Sequence, residues 1–167
     1  GVGKSRLCAE FTEHCRARGV AVYEAHCVPH GEALPFLPIL QLFRSYFGIR
    51  ENDPPAEARR HIAGMLLLLD ERFRAALPLI FDFLGVPDPE RPLPHMDPET
   101  RRRQLLAFTA EVVRARSAHE PAVARVDDLD WIDRHSDALL GRLIPSSGRT
   151  RTLFLLNFRP EYHADWM

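Results

Sequence analysis

Apolar residues along the chain recur with two different spacings. Leu7, Phe11 and Cys15 lie four residues apart, which predicts a helix over residues 5–18, and a similar pattern predicts another over 134–143. Three short runs of aliphatic and β-branched residues predict strands instead, and we expect the last of them to be buried. The predicted strands are residues 20–25, 122–126 and 153–156. Strands that alternate with helices indicate an α/β domain with a parallel sheet covered on both faces.

A block of helices separates the first two predicted strands. Apolar residues at helical spacing predict four helices there, at residues 36–47, 56–69, 71–84 and 99–117. Pro78 should kink or split the third of them, because proline cannot donate the helical hydrogen bond. Loops are expected at 28–35 and at the proline-rich 86–98. We therefore expect a single partial domain, residues 1–167, with a helical insertion at about 36–117.

The first residues match the end of a phosphate-binding loop. The full pattern is G-x-x-x-x-G-K-[ST], followed by a helix. Lys4 is the only lysine among 22 Lys and Arg residues, and its ammonium would neutralise the β- and γ-phosphates, while the Ser5 hydroxyl would bind Mg²⁺. The residues expected to contact nucleotide here are Gly1, Val2, Gly3, Lys4, Ser5 and Arg6. The first glycine of the pattern and the strand before it are missing, so we expect a fragment that begins inside its own loop.

Two acids follow the second predicted strand. Asp127 and Asp128 could divide the work of a Mg-dependent hydrolase, one holding the metal through water and the other positioning or deprotonating the attacking water. We assign the metal to Ser5 and Asp127, leaving open which of the two acids holds it, and count both as catalytic. Taken alone, such a pair is more often a turn or a helix cap. Arg125 either extends its charged end out to solvent, pairs with an acid or marks a degenerate site.

Polar residues also follow the third predicted strand. Asn157 and Arg159 lie where ligands of open α/β sheets bind, at the carboxyl end of a strand. Arg159 could contact the γ-phosphate and report its presence. The alternative is a surface arginine paired with Glu161.

These two segments carry a family resemblance. Asp-Asp-Leu-Asp-Trp-Ile-Asp at 127–133 and Asn-Phe-Arg-Pro-Glu-Tyr at 157–162 resemble the Walker B and sensor segments of STAND/AAA-type ATPases. The closest likeness is to modules that accompany class III adenylate/guanylate cyclases and large LuxR-type regulators in bacteria, and it covers essentially the whole chain. In that family the acidic pair is commonly Glu-Asp, followed by Leu-His-Trp. Here Asp127 replaces the glutamate and Asp130 the histidine.

The resemblance implies both a fold and a function. The fold would be a three-layer α/β/α P-loop NTPase with a parallel sheet, lacking its first strand. The function would be a regulatory switch that binds ATP or ADP with Mg²⁺ and hydrolyses ATP slowly, beside a cyclase or other output domain and a helical repeat sensor in the same polypeptide.

Two other functions stay open. A small-molecule kinase would need an arginine-rich lid, for which 101–103 could be offered, although that run is more simply a solvated helix face. A decayed interaction module would explain Arg125 and Asp130. The net charge of −1 and the absence of any apolar run of about 20 residues argue against direct nucleic-acid contact and a membrane span. The three cysteines are an odd number without CxxC spacing and suggest no disulfide framework, so we expect a cytoplasmic protein.

Overall fold

The computed structural model describes residues 3–29, 35–164 and 166–167. In chain order the helices and strands are α1 (Lys4–Ala17), β1 (Ala21–His26), α2 (Leu37–Phe47), α3 (Pro55–Leu69), α4 (Leu77–Phe83), α5 (Pro98–His119), β2 (Ala122–Asp127), α6 (Arg134–Ser146) and β3 (Thr152–Leu156). Two 3₁₀ helices, Glu71–Ala76 and Leu129–Trp131, precede α4 and follow β2. Every helix and strand predicted from the sequence is present, with small shifts at the ends. None of the helices within the described ranges is long and apolar enough to cross a membrane.

The three strands form one parallel sheet in the order β1-β2-β3. Ala122 of β2 is opposite Ala21 on one side and Thr152 on the other, so the carboxyl ends of all three strands lie at the same edge. All six residues of β2 are buried, which requires cover on both faces. The predicted α/β class with a parallel sheet is confirmed.

Alternate residues of the sheet face different helices, because side chains along a strand point to opposite sides in turn. Tyr23, Ala124 and Phe154 line a small apolar cavity of about 80 Å³ together with side chains of α2, α5 and α6. On the opposite face Arg125 reaches Thr12 of α1. The sheet is therefore enclosed by α1 on one side and by helices of the insertion with α6 on the other.

The strand β3 corrects one expectation. It was predicted to be buried, but its residues are intermediate or exposed, and Leu153 is 48% exposed. Within the described residues β3 pairs only with β2. A strand with one neighbour lacks the side chains of a second strand beside its own on each face of the sheet, so more of their surface stays in solvent.

The helical insertion shares one hydrophobic core with the sheet. Buried residues of the insertion such as Phe43 and Phe108 belong to the same hydrophobic cluster as Val126 of β2. The ring centroids of Phe43 and Phe108 lie 5.9 Å apart. Pro78 divides the predicted helix 71–84 as expected, since it occupies the first turn of α4, where a missing N–H costs little. The chain before it forms the 3₁₀ helix.

Asp133 joins the insertion to the second half of the chain. It is 1% exposed and caps α6, accepting hydrogen bonds at Oδ1 from the backbone N–H groups of His135 and Ser136, both at 3.0 Å. The same oxygen accepts from the N–H of Phe36, at 3.1 Å. Phe36 has a left-handed backbone (φ 64°) and immediately precedes α2, so this one carboxylate sets how α2 begins relative to α6.

Candidate functional site

Residues from the ends of β2 and β3 and from the start of α1 line one cleft of about 430 Å³ at the carboxyl edge of the sheet. Its lining consists of Lys4, Ser5, Asp128, Asp130, Asn157, Phe158, Arg159, Pro160 and Glu161. Five residues that the sequence nominated are thus brought together: Lys4, Ser5, Asp128, Asn157 and Arg159. This volume lies within the range of small-molecule sites.

The start of α1 has the geometry of an anion site. Gly3 precedes the helix with φ 123°, a conformation that a side chain would strain, and its carbonyl accepts from the N–H of Leu7 at 2.8 Å. Within the described residues no side chain caps this helix end and its first turn carries no acid. Its free N–H groups and dipole therefore favour a negatively charged ligand beside Lys4 and Ser5. Gly1 and Val2, also nominated, lie outside the described residues.

Asn157 ties the cleft together. It is 5% exposed, and its Nδ2 donates to Ser5 Oγ at 3.1 Å. Its backbone N–H donates to the carbonyl of Val126, and its own carbonyl accepts from the N–H of Leu129, both at 3.0 Å. The side chain that reaches the phosphate-loop serine is thus fixed by backbone bonds to the end of β2 and the turn after it.

The two adjacent acids have different environments. Asp128 is exposed, has a left-handed backbone (φ 57°) and lines the cleft. Asp127 is 4% exposed and does not line it. Instead, Arg125 Nε donates to Asp127 Oδ1 at 3.0 Å, and Arg125 Nη2 forms an ion pair with Oδ2 at 2.6 Å. Of the alternatives for Arg125, the pairing with an acid is what the structure contains.

Asp130 has a role that sequence reasoning missed. Its Oδ1 accepts from the backbone N–H of Arg159 at 2.7 Å, and its Oδ2 lies 3.7 Å from Arg159 Nε. The Arg159 side chain remains 67% exposed above the cleft. Its ion-pair partner within the described residues is Asp130, and the pairing with Glu161 is not found there. The available signal was the replacement of a histidine by a third acid at this position.

Arg6 lies away from the cleft. Its Nε contacts Glu10 Oε1 at 2.7 Å, one helical turn later, and its side chain is 85% exposed. It does not belong to the cleft lining. Its nominated contact with nucleotide therefore stays a prediction.

The chain after the cleft is anchored on α6. Asp137 Oδ1 accepts from the Tyr162 hydroxyl at 2.7 Å and from the Trp166 indole N–H at 3.0 Å. Burial, and the hydrogen bond to this carboxylate, raise the pKa of Tyr162. The phenol therefore stays protonated and keeps donating. The segment that follows β3 is therefore held at two points: at Arg159 by Asp130, and at Tyr162 and Trp166 by Asp137.

Negative charge dominates the carboxyl edge of the sheet. Cys27, directly after β1, is 4% exposed, and its pKa is raised to about 12, first by burial and then by the carboxylates of Asp133 and Asp128. A site rich in carboxylates suits a cation. Among the described residues no group of three or more His, Cys, Asp or Glu side chains could hold a metal alone.

The parallel sheet, the glycine-led helix with Lys4 and Ser5, and the acids facing them define the class as a P-loop NTPase domain. The family model described as "AAA ATPase domain" matches residues 1–156. The chain belongs to the AAA ATPase domain family. It is 26% identical over 181 residues to an uncharacterized protein of Rhizobium meliloti (strain 1021), a match that covers the entire chain and 16% of that protein. No solved structure matches the chain.

Proposed function

We propose that this domain binds ATP and ADP with Mg²⁺ and acts as a nucleotide-dependent regulatory switch that hydrolyses ATP slowly. The observation that carries the proposal is the convergence of Lys4 and Ser5, at an uncapped helix N-terminus, with Asp128, Asn157 and Arg159 in one cleft. Phosphates would be held by the α1 N–H groups and Lys4. An acid beside the cleft would position the water that attacks the γ-phosphate.

The exposed position of one arginine supports a switch. Arg159 is exposed at the cleft and its backbone is held by Asp130, so its side chain is free to turn toward a γ-phosphate. That movement would release the 3.7 Å contact with Asp130 and alter the segment that continues to Tyr162 and Trp166. Elements ordered around a γ-phosphate are a known way to couple nucleotide state to structure.

The chain covers one sixth of the length of its Rhizobium relative, which supports a module working within a larger polypeptide. We propose that its partners are a cyclase or other output domain and a helical repeat sensor in the same polypeptide, in the cytoplasm. Membrane and nucleic acid are not among the proposed partners.

The kinase alternative is less favoured, because two of the arginines offered as a lid pair with acids away from the cleft. Arg101 pairs with Asp82 at 2.5 Å, and Arg102 pairs with Glu99 on its own helix. Neither side chain lines the cleft. The decayed module remains the second candidate, because Arg125 occupies both oxygens of Asp127.

Calorimetric titration with ATP and with ADP, each with Mg²⁺, tests the proposal in the full-length protein. Lys4→Ala should weaken binding of both nucleotides about 100-fold or more, because it removes a charge-assisted phosphate contact. Arg103→Ala, which removes one positive charge from an exposed site on α5, serves as the matched control and should leave binding unchanged. Absence of any nucleotide binding in the unaltered protein would favour the decayed module.

Arg159→Ala separates the sensor role from simple phosphate binding. ATP affinity should fall toward that of ADP, while ADP affinity stays within about twofold, since only ATP offers the third phosphate. Equal losses for both nucleotides would contradict a γ-phosphate sensor.

A further inference from the structure

Arg125 is a charged residue in the middle strand of the sheet. Its side chain is only 8% exposed. In the sheet it lies between Glu24 of β1 and Leu155 of β3, its direct neighbours on the two flanking strands. A buried guanidinium is tolerated only when its donors are satisfied and its charge is matched. Its partners therefore indicate what it does.

Three polar groups satisfy this guanidinium. Nε donates to Asp127 Oδ1, and Nη2 forms an ion pair with Asp127 Oδ2. Nη1 lies 3.2 Å from Glu24 Oε1 and 3.5 Å from Thr12 Oγ1. Glu24 is shared with Arg16 of α1. Arg125 thus meets Asp127 through one charge-assisted hydrogen bond and one close ion-pair contact, the strong class of polar interaction.

Asp127 is consequently neutralised from inside the protein. In addition to the two contacts with Arg125, Asp127 has His26 nearby, with His26 Nδ1 3.3 Å from Asp127 Oδ2. A Mg²⁺ ion on the same carboxylate would stand beside a fixed guanidinium in a poorly solvated site, where like charges repel strongly. Asp128, one residue later, makes no ion pair with an arginine among the described residues, is exposed, and shares the cleft with Lys4 and Ser5.

We infer that Arg125 is the built-in counter-cation of Asp127 and that Asp128, together with Ser5, carries the metal of the bound nucleotide. This inference rests on the proposed function and reverses the metal assignment made from sequence order, in which the first acid holds the ion. Arg125 acts as a positioning residue: it holds Asp127 in a buried position outside the cleft lining and leaves the metal to the exposed neighbour.

The test compares Asp127→Asn with Asp128→Asn, two isosteric changes at adjacent positions. The dissociation constant of a fluorescent N-methylanthraniloyl ATP is measured for the full-length protein in EDTA and in Mg²⁺. The ratio of the two constants reports the metal contact and not activity. Asp128→Asn should reduce this ratio about tenfold, the usual worth of one charged contact, whereas Asp127→Asn should preserve it.

Arg125→Met supplies a readout that a purely structural role would not move. Once its counter-cation is gone, Asp127 gains affinity for cations, so the Mg²⁺ ratio should rise above that of the unaltered protein. Because single changes in a buried pair destabilise the fold, urea unfolding is measured alongside, and the Arg125→Met, Asp127→Asn double variant should recover stability lost by Asp127→Asn alone.

Two results separate the possible failures. If the unaltered protein binds no nucleotide with or without Mg²⁺, the proposed function falls, and this assignment falls with it. If nucleotide binds but Asp127→Asn abolishes the Mg²⁺ ratio in folded protein while Asp128→Asn keeps it, the assignment alone is overturned and the first acid holds the metal despite its arginine.

Discussion

Trp166 lies against α6 at a point where the helix has no side chain. A Cβ atom added at Gly141 would stand 2.5 Å from Trp166 Cδ1 and 2.7 Å from Cγ, closer than any real contact. Gly141→Ala must therefore push the indole off the helix. The displaced ring would lose its hydrogen bond to Asp137 and its packing on α6.

The expected change in the free energy of unfolding is the difference of two effects of similar size. Alanine in place of glycine in a helix interior stabilises by about 1 kcal/mol. The lost indole hydrogen bond costs about 1 kcal/mol, and the lost apolar contact adds to that cost. In the unaltered chain Gly141→Ala should therefore be nearly neutral or mildly destabilising. In a Trp166→Ala background it should stabilise by the full ~1 kcal/mol.

Urea unfolding of the four proteins in this double-mutant cycle gives the coupling energy between Gly141 and Trp166, which should be at least about 1 kcal/mol. Indole emission provides an independent measure. The chain has two tryptophans, so a Trp131→Phe background isolates Trp166, whose emission should shift to the red in Gly141→Ala. The reasoning is refuted if Gly141→Ala has the same effect with and without Trp166 and leaves the emission unchanged.

Three further predictions concern stability. Asp133→Ala should cost about 2–4 kcal/mol in urea unfolding, because it removes an N-cap and orphans the N–H of Phe36; Asp133→Asn keeps an acceptor oxygen and should cost less, and equal losses would contradict a hydrogen-bonding role. The free energy of unfolding should fall as pH rises from 9 toward 12, since the Cys27 thiol ionises near 9 when unfolded and near 12 when folded; Cys27→Ala should make that slope shallower, most clearly below pH 10, where tyrosines with raised pKa values contribute little, and an unchanged slope there would exclude this thiol as its source. Leu140→Ala, at a fully buried position, should cost about 2–5 kcal/mol; Leu68→Ala, at a side chain 91% exposed, is the control and should stay within about 0.5 kcal/mol.

The sequence predicted the helices and strands well wherever apolar residues recur at a regular spacing. The helices and strands emerge from apolar spacing, and Pro78 divides its helix because its backbone chemistry is independent of context. The exposure of β3 was not predictable, because Leu153 has the same apolar character in a central strand as in an edge strand. Burial of a strand depends on how many neighbours it pairs with.

The candidate site was predicted in composition and only partly in geometry. Lys4, Ser5, Asp128 and Asn157 meet as expected, because parallel strands bring their carboxyl ends to one edge. The difference between the two adjacent acids was out of reach. It follows from Arg125, which shares the face of Asp127 but not of Asp128, and sequence alone left open whether that arginine would pair.

The single lysine of this chain has a practical consequence for chemical labelling. Lys4 is exposed at the mouth of the cleft, and every other basic side chain outside the histidines is an arginine, which does not react with acylating reagents such as succinimidyl esters. Apart from a terminal amine, the one primary amine in this sequence belongs to a residue that lines the cleft, so such a reagent reacts mainly there. Acylation, which usually labels many lysines over a protein surface, can therefore be used in this domain to report, at one residue, whether the cleft is occupied.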